Sequence, residues 1–397
     1  MSAIDHHRRG LELYRQQGFS EAASLFSAAL GEEESSEIWN DWALVQLRLG
    51  HPAEAEQGLC RALELNAGNA QALVNLGVLL AKMGRPGEAV PLLEKAASSA
   101  NESAPAGLEA ALAQARKQRA TRNEPDGVAL EHCLRRYATD GEGSRQYFEN
   151  QLSRYVVLLE TLPGARRDER LLEVGSSFHH LSPVLKAVKG YDVRCTDLWD
   201  GPAQVTHEVA SRDGEEKHAF LVDNFDVQKG AWPYPDASFD VVLLCELLEH
   251  LATDPMHVMA EINRVLRPGG LLLLTTPNIA SARGVEAILK GESPYFWGQY
   301  EVGGLPTDHH NREYAPGEVV RLARAAGFEV ATLRTIGGLN TASRAALRHL
   351  VAGGHSIAWR GEDIVLLARK QSDVLDRYPA EFYASQGTQA ARRSAAS

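Results

Sequence analysis

From residue 170 onward, apolar stretches typical of buried strands alternate with amphipathic stretches typical of helices. The strand candidates include RLLEV, YDVRCTDL, FDVVLLC, LLLLTTPN and EDIVLLARK, and helical patterns such as LSPVLKAVKG and APGEVVRLARAAGFEV lie among them. Regular alternation of this kind predicts a mainly parallel sheet with helices on both faces. Ligands of such sheets bind at the carboxyl ends of the strands, so the residues that follow each strand are the first candidates for a site.

Acidic residues occur at the ends of the first two predicted strands. Glu173 is followed by Gly175, Ser176 and Ser177, and Asp197 lies 24 positions after Glu173. An acid at the end of the second strand can accept hydrogen bonds from the hydroxyls of a ribose. Because dinucleotides and S-adenosylmethionine are both held in this way, the two acids by themselves predict only a nucleoside site.

Several motifs, in their order and spacing, resemble class I S-adenosylmethionine-dependent methyltransferases over about residues 145–371. The motifs are LLEVG, YDVRCTDL, WPYPDASFDVVLLCELLEHL, EINRVLRPGGLLLLTTPN and REYAPGEVVRLARAAGFEV. The resemblance is to the group that includes ubiquinone-type O-methyltransferases and many enzymes encoded with glycan-modifying genes. It implies an α/β, Rossmann-like domain with a seven-stranded sheet and a reversed last hairpin.

The resemblance also implies which residues bind the cofactor, S-adenosyl-L-methionine. They are Glu173, Gly175, Ser176, Ser177, Asp197, Asp226 and Cys245. Glu173 and Gly175 would line the methionine end, and Asp197 would bind the ribose. Asp226 would face the adenine amine, and Cys245, at the end of the fourth predicted strand, would offer backbone contacts.

The loop after the first strand departs from the family pattern, which is acid-x-Gly-x-Gly-x-Gly. Ser177 and His179 stand where the second and third glycines are expected. Serine is a small change, whereas a bulky residue such as His179 requires a negative φ unless its backbone is strained. The alternative, a cofactor site that has lost its function, is disfavoured because Glu173 and Asp197 are present.

A second group of polar residues follows the fourth predicted strand. In CELLEHL, Glu246, Glu249 and His250 are spaced i, i+3 and i+4, so on a helix they would share one face. Two carboxylates and an imidazole suit a divalent cation such as Mg²⁺, Mn²⁺, Fe²⁺ or Zn²⁺. The later loop PTDHHNREY contributes His309 and His310.

This group also resembles elements of two families. Ubiquinone-pathway O-methyltransferases carry Glu-x-x-Glu-His after the fourth strand. Small-RNA 2′-O-methyltransferases add a later His three residues before a Glu, the spacing of His310 and Glu313. In those enzymes the residues bind a metal that contacts two adjacent hydroxyls of the acceptor. The implied metal ligands are therefore Glu246, Glu249, His250 and His310. Without a metal, His250 or His310 would remove the acceptor proton directly.

The acceptor side is predicted in residues 280–311, a long aromatic stretch with several glycines that is typical of a lid. We name it the lid segment. Tyr295, Phe296, Trp297 and Tyr300 could stack on a sugar or another ring. Alternatively, these side chains only pack the lid segment on the sheet.

A 34-residue repeat occupies the first third of the chain. Trp39, Gly50, Ala55, Leu59 and Ala62 recur as Leu73, Gly84, Ala89, Leu93 and Ala96. A helix–turn–helix period of this length resembles the tetratricopeptide repeat, over about residues 7–100. Such a stack offers a concave surface for a peptide or protein partner. The alternative is a helical stack that only packs on its neighbour or mediates dimerisation.

Composition narrows the remaining classes of function and cellular location. The net charge of −11 argues against a general nucleic-acid binder, although it leaves a local basic groove open. The four cysteines show no CxxC spacing, which favours reduced thiols. Neither a signal peptide nor an apolar run of 18 residues is recognisable, so we expect a cytoplasmic protein without a membrane span.

These observations predict an all-α tetratricopeptide-repeat domain followed by the α/β methyltransferase domain. The predicted divisions are 1–120 for the repeats, 121–143 for a linker and helix, 144–371 for the methyltransferase domain and 372–397 for a flexible tail. The predicted function is O-methylation of a hydroxyl on a saccharide or similar polar diol, with either a divalent metal or a histidine base activating the hydroxyl. The alternatives are an RNA 2′-O-methyltransferase, a protein methyltransferase that recruits its substrate through the repeats, and a non-catalytic adapter.

Overall fold

The computed structural model describes residues 2–383 except for residues 84, 100–104, 106, 123–126, 139–141, 167, 298–308, 338–345, 347–348, 351–352, 354 and 356–358. Gly84, Tyr300 and the rest of residues 298–308 in the lid segment, for which the sequence makes predictions, therefore lie outside the described part of the chain. The same is true of residues 384–397 at the end of the predicted tail.

In the part of the chain that the structure describes, residues up to 161 form helices joined by short turns, which confirms the helical character predicted for residues 1–120. The described helices are α1 (Ala3–Arg15), α2 (Phe19–Glu32), α3 (Ser36–Leu49), α4 (Pro52–Leu65), α5 (Ala70–Lys82), α6 (Pro86–Ser99), α7 (Leu108–Arg122), α8 (Gly127–Tyr137) and α9 (Glu142–Thr161). Among the described residues, no helix combines the length and the apolar composition that a bilayer-spanning segment requires.

Side chains one repeat period apart contact each other across α1 and α3. His7 Nε2 lies 2.8 Å from Asp41 Oδ2, and Arg48 Nε donates to the Tyr14 hydroxyl at 3.3 Å, each pair being 34 residues apart. The repeated positions Trp39, Ala55, Leu59, Ala62, Leu73, Ala89, Leu93 and Ala96 are buried in one core. The 34-residue period of the sequence thus recurs in the packing of the helices. The assignment to the tetratricopeptide family stays a prediction.

One sheet follows, and in the described part of the chain it has eight strands. They are β1 (Arg170–Val174), β2 (Asp192–Asp197), β3 (Gln204–Ala210), β4 (Lys217–Asn224), β5 (Phe239–Cys245), β6 (Leu266–Pro277), β7 (Phe328–Ile336) and β8 (Asp363–Lys370). Their order is β3-β4-β2-β1-β5-β6-β8-β7. The neighbours from β4 to β6 are parallel, and β8 is antiparallel to both β6 and β7, which confirms the reversed last hairpin.

The prediction of seven strands is wrong by one. The additional strand, β3, pairs antiparallel with β4 at the edge of the sheet. Its sequence, QVTHEVA, contains a single fully buried side chain, Val209. Because an edge strand with so little buried surface lacks the apolar run of a central strand, its sequence is not distinguishable from a loop.

Helices cover both faces of the sheet. The helices after β1 whose full bounds the structure describes are α10 (Ser182–Ala187), α11 (Pro255–Val265), α12 (Ala282–Lys290) and α13 (Pro316–Ala325). One face packs against α8, α9 and α10, and the other packs against α11 and α13. Leu130 and Leu134 of α8 are fully buried in the first of these layers. The helix predicted within the linker at 121–143 therefore belongs to the core of the sheet.

Buried ion pairs join the repeats to the opposite edge of the sheet. Arg334 of β7 lies 3.1 Å from Glu56 of α4 and 3.0 Å from Glu88 of α6. Arg85 lies 2.8 Å from the same Glu56, and Gln57 donates to Thr335 at 2.6 Å. The four charged side chains are at most 10% exposed. Since each buried charge has a partner of opposite sign, the junction avoids the cost of an isolated buried charge.

The first residues of the predicted flexible tail are packed on the fold. The Arg377 guanidinium lies 2.6 Å from Asp254, which caps α11, and the Tyr383 hydroxyl donates to the same carboxylate. Val374 and Phe382 add apolar contacts to the core beneath the sheet. These contacts anchor residues 372–383 to the fold, whereas the flexibility predicted for residues 384–397 stays a prediction.

Candidate active site

The residues predicted to bind the cofactor follow four neighbouring strands. The order β4-β2-β1-β5 is parallel throughout, so the carboxyl ends of these strands meet at one edge. Asp197 ends β2, Cys245 ends β5, and Asp226 lies two residues beyond β4. The structure thus brings the sequence-predicted residues to a single edge of the sheet.

Glu173 is directed into the protein at the base of this edge. Its side chain is buried, and Ser182 at the start of α10 donates to Oε2 at 2.5 Å. Burial raises the pKa of Glu173 to about 7, although the bond from Ser182 opposes the rise. The carboxyl group fixes the first turn of α10 against β1, and so fixes the loop between them.

That loop has left-handed backbone at alternating positions. Gly175, Ser177 and His179 have φ angles of 74°, 40° and 54°. These are the three glycine positions of the family pattern, so the chain keeps the glycine conformation where it has replaced the glycines. A side chain at such a φ costs about 1–2 kcal/mol per residue. The strain predicted for His179 is therefore present, and Ser177 shares it.

The ring of His179 packs against β3, the additional strand. The side chain is 4% exposed and stacks on His207 of β3, with ring centroids 4.5 Å apart. Its Nδ1 lies 3.2 Å from the Ser182 hydroxyl, whose own hydrogen goes to Glu173, so Nδ1–H is the donor. Burial lowers the pKa of His179 to about 4, and the ring is neutral at pH 7. His179 therefore packs in the interior and leaves the loop without an added charge.

The two aspartates differ in their surroundings. Asp197 accepts a hydrogen bond from the Leu198 amide at 2.8 Å, and burial raises its pKa. Asp226 accepts from the Gln228 amide at 2.9 Å and lies 2.9 Å from the exposed Lys229 ammonium. At Cys245, burial raises the pKa of the thiol to about 12, so it stays protonated. Cys245 can offer its backbone but is not a nucleophile at neutral pH.

Three of the four predicted metal ligands converge. One potential ligand atom from each of Glu249, His250 and His310 lies within 4.8 Å of the other two. We name these residues the trio. Glu249 is fully buried; its Oε2 accepts from Thr276 at 2.8 Å, whereas Oε1 has no hydrogen-bond partner among the described residues. Burial and the nearby charge of Glu246 raise the pKa of Glu249 well above its usual range.

Both histidines of the trio are held through Nδ1. His250 Nδ1 lies 3.1 Å from the His309 carbonyl oxygen, and His310 Nδ1 lies 2.7 Å from Glu313 Oε1. A histidine that donates Nδ1–H to an oxygen keeps Nε2 as its ligand or base, and metal-binding histidines are usually held in this way. The amides of Asn311 and Arg312 donate to the Glu249 carbonyl oxygen, which joins the histidine loop to the end of β5.

Glu246 does not belong to the trio, and the predicted helical spacing is wrong. Only a 3₁₀ turn, Leu248–His250, follows β5, and Glu246 has a left-handed φ of 50°. Its carboxylate pairs instead with Arg154 of α9. Because the chain turns sharply at Glu246, the i, i+3 and i+4 positions do not share a helical face.

Arg154 is a site residue that the sequence analysis missed. It is 3% exposed, and its Nε has no hydrogen-bond partner in the described part of the chain. Asp363, at the start of β8, is close enough to raise the pKa of the guanidinium, and burial raises the pKa of Asp363 itself to about 7. The sequence feature that could have indicated Arg154 is its place on the apolar face of α9, four residues before Leu158.

The described part of the lid segment lies against the trio. Phe296 and Trp297 donate their backbone amides to Glu313 Oε1 at 2.6 and 3.1 Å. The Trp297 ring is nearly perpendicular to His250, at 86°, and is inclined by 70° to His310. The prediction that this segment reaches the catalytic edge stays a prediction for residues 298–308, which are not described.

A cavity of about 700 Å³ lies elsewhere, near the amino ends of the strands. Its walls include Arg85 and Glu160 from the helical part and Asp240, Arg267 and Arg369 from the sheet. Arg267 pairs with Asp240, and Arg369 donates to the Gly269 carbonyl oxygen. None of the sequence-predicted site residues lines this cavity, so we place the active site at the carboxyl edge by its side chains.

Comparisons with known proteins agree with the assignment of the sheet. Residues 172–274 match the profile of a family described as "Methyltransferase domain". A tRNA N(3)-cytidine methyltransferase of Danio rerio is 34% identical over 119 residues, which cover 29% of this chain and 33% of the relative. The 27-O-demethylrifamycin SV methyltransferase of Amycolatopsis mediterranei is 34% identical over 113 residues, which cover 28% and 39% of the two chains.

A more extended match has lower identity. The ubiquinone biosynthesis O-methyltransferase of Idiomarina loihiensis is 28% identical over 165 residues, covering 41% of this chain and 62% of the relative. Among solved structures, an S-adenosylmethionine-dependent methyltransferase from Mesorhizobium loti has 17% identity and a TM-score of 0.36, with 54% of this chain and 95% of that chain covered. The chain spans about a third of the length of the first two relatives. Residues 172–274 accordingly match a methyltransferase domain.

Proposed function

We propose that this chain, with a methyltransferase domain at residues 172–274, methylates a hydroxyl of a saccharide or similar polar diol. The observation that carries the proposal is the trio, because Glu249 and His250 follow β5, the strand that also ends in the cofactor-side residue Cys245, and His310 converges on them. A carboxylate and two imidazoles beside the methyl donor are suited to orienting a hydroxyl and receiving its proton.

The residues at the sheet edge fit S-adenosylmethionine, which supplies a methyl group on a sulfonium. Asp197 ends the second strand, where a carboxylate can accept hydrogen bonds from ribose hydroxyls. The left-handed backbone of Gly175 and Ser177 keeps the loop in the conformation that a glycine-rich sequence would adopt. The inward ring of His179 leaves that conformation intact.

The trio also fits a divalent cation. Glu249 Oε1 is buried without a hydrogen-bond partner among the described residues, and both histidines are oriented through Nδ1. Two imidazoles with one carboxylate favour Mn²⁺, Fe²⁺ or Zn²⁺ over Mg²⁺. A bound cation would lower the pKa of a coordinated hydroxyl and would favour the ionised form of Glu249.

The chain's own residues can also act without a cation. His250 and His310 each have Nδ1 bound to an oxygen, so Nε2 is the nitrogen that can take a proton. Either histidine would then serve as general base for the acceptor hydroxyl. The first mode predicts inactivation by a chelator, whereas the second predicts activity that a chelator leaves unchanged.

The helical part is proposed to be a tetratricopeptide module that binds a protein partner. Support comes from the 34-residue period, which recurs in the buried positions and in the contacts of His7 with Asp41. The ion pairs of Arg334 involve α4 and α6, so the first helix of each repeat is not the one that contacts β7. A partner could therefore be held on that other side of the stack.

The direct test is transfer of a labelled methyl group from S-adenosylmethionine to a panel of acceptors, with and without a chelator. The panel should contain saccharides with adjacent hydroxyls, their deoxy analogues and an RNA with a free 2′-hydroxyl at its 3′ end. Transfer to the saccharides and its loss with the deoxy analogues is the expected result. Transfer to the RNA alone would instead identify an RNA 2′-O-methyltransferase, the alternative that shares the trio.

A further inference from the structure

Glu313 binds the lid segment and a trio histidine through the same oxygen atom. Oε1 accepts hydrogen bonds from His310 Nδ1 at 2.7 Å, from the Phe296 amide at 2.6 Å and from the Trp297 amide at 3.1 Å. The side chain is fully buried, and Oε2 has no hydrogen-bond partner in the described part of the chain. One carboxylate therefore sets the position of a backbone segment and of an imidazole together.

The Trp297 side chain is next to the trio but not enclosed by it. Its ring centroid is 5.6 Å from that of His310 and 6.4 Å from that of His250, and the side chain is 38% exposed. Because the ring stands across both imidazoles, it forms a wall beside the atoms that would receive the acceptor hydroxyl. Tryptophan in such a position offers an apolar face to a ring or sugar that presents its hydroxyls at the edge.

We propose that Glu313 is a positioning residue that couples Trp297, as a wall of the acceptor pocket, to the orientation of His310. The proposal rests on the proposed function and deepens it, because it predicts an acceptor with a flat or ring-shaped apolar face next to the reacting hydroxyl. A displacement of the Trp297 backbone from Oε1 would therefore also change the hydrogen bond that orients His310. The carboxylate thereby joins acceptor binding to the arrangement of the trio.

A purely structural role for Glu313 makes a different prediction. A residue that only stabilises its own loop would lower the free energy of unfolding and leave the two neighbours with their native geometry in the folded fraction. A positioning residue would change the exposure of Trp297 and the metal affinity of the trio in protein that is fully folded. The test therefore uses folded protein and two readouts that do not depend on turnover.

The experiment compares the full-length wild type with Glu313→Ala, Glu313→Gln and the control Glu292→Gln. Glu292 is an exposed carboxylate on the same stretch of chain, five residues before Trp297. Acrylamide quenching of Trp297 fluorescence is obtained by subtracting the signal of Trp297→Phe in each background. Binding of Mn²⁺ alone is measured by calorimetry, and binding of S-adenosylhomocysteine verifies that each variant is folded.

We expect Glu313→Ala to raise the quenching of Trp297 and to weaken Mn²⁺ binding by about 10–100-fold, as loss of a partner behind a metal ligand usually does. Glu313→Gln, which keeps an acceptor oxygen, should fall between Glu313→Ala and the wild type, and Glu292→Gln should match the wild type. Unchanged quenching of Trp297 in both Glu313 variants would overturn the proposal. If Glu313→Ala does not fold, Glu313→Gln decides between these outcomes. Absence of Mn²⁺ binding in the wild type would contradict the metal-assisted function, while the quenching comparison still tests Glu313.

Discussion

The imidazole of His179 lies stacked on the imidazole of His207, with the two planes inclined by 25°. One ring belongs to the cofactor loop and the other to the additional edge strand. The two departures from the expected pattern, a bulky residue at a glycine position and an eighth strand, are therefore in contact. The edge strand supplies the surface on which the replaced glycine position is packed.

We expect His179→Gly to destabilise the protein without weakening the cofactor site. Removing a large buried side chain lowers the free energy of unfolding by about 3 kcal/mol, and relief of the strained left-handed backbone raises it by about 1 kcal/mol. Urea unfolding should therefore show a loss of roughly 2 kcal/mol, and calorimetry should show unchanged affinity for S-adenosylhomocysteine. Ser177→Gly is the matched control, because Ser177 has the same backbone conformation and an exposed side chain. Equal stability changes in the two variants would contradict the role given to the His179 ring.

Asp197→Ala should abolish binding of S-adenosylmethionine. Loss of two charge-assisted hydrogen bonds to the ribose removes at least about 3 kcal/mol, or about 100-fold in affinity. Isothermal calorimetry on the purified variant measures this change directly. Asp200→Ala, an exposed carboxylate three residues further along, should bind the cofactor like the wild type. Unaltered affinity of Asp197→Ala would refute the cofactor assignment.

Glu249→Gln and Glu246→Gln should separate metal binding from stability. Glu249 offers a buried oxygen without a hydrogen-bond partner among the described residues, whereas Glu246 is bound to Arg154. We expect Glu249→Gln and His310→Ala to remove Mn²⁺ binding and the response to a chelator.

Glu246→Gln should retain Mn²⁺ binding but lose stability, because a buried guanidinium left without its carboxylate costs about 3–5 kcal/mol. Thermal unfolding followed by circular dichroism, alongside Mn²⁺ calorimetry, distinguishes the two effects. Loss of Mn²⁺ binding in a folded Glu246→Gln variant would show that Glu246 is a metal ligand, as first predicted. Turnover and chelator response that survive both Glu249→Gln and His310→Ala would exclude the trio as the metal site.

The stability of the cofactor-free protein should fall as the pH rises through the titration range of Glu173. Burial raises the pKa of this carboxyl from 4.5 to about 7, so the folded state keeps a proton that the unfolded chain has released. Between pH 5 and 8 the free energy of unfolding of Glu173→Gln should improve relative to wild type by roughly 2–3 kcal/mol. Urea titrations at several pH values measure the difference. Glu208→Gln removes an exposed carboxylate from β3, and its free energy of unfolding should depend on pH as that of the wild type does. The same pH dependence in Glu173→Gln and the wild type would be evidence against the buried, protonated carboxyl.

The sequence predicted the parts of the site that depend on one strand and its following turn. Asp197 and Cys245 lie at strand ends because apolar runs mark the buried strands, and the parallel order then brings those ends together. The pairing of Arg154 with Glu246 was not predictable, because 92 residues separate them and the spacing around Glu246 favoured a metal ligand instead. The spacing of Glu246 and Glu249 suggested a helix, but the left-handed turn at Glu246 is set by that distant guanidinium and by the end of the sheet.

The ion pairs of Arg334 make the two parts of the chain interdependent. A truncated protein that begins after the repeats would expose the β7 edge, with a guanidinium deprived of Glu56 and Glu88. The repeats would in turn present two acids and Arg85 to water. Because these ion pairs fasten the repeats to β7, the proposed partner of the repeats would be kept at a constant distance and angle from the trio.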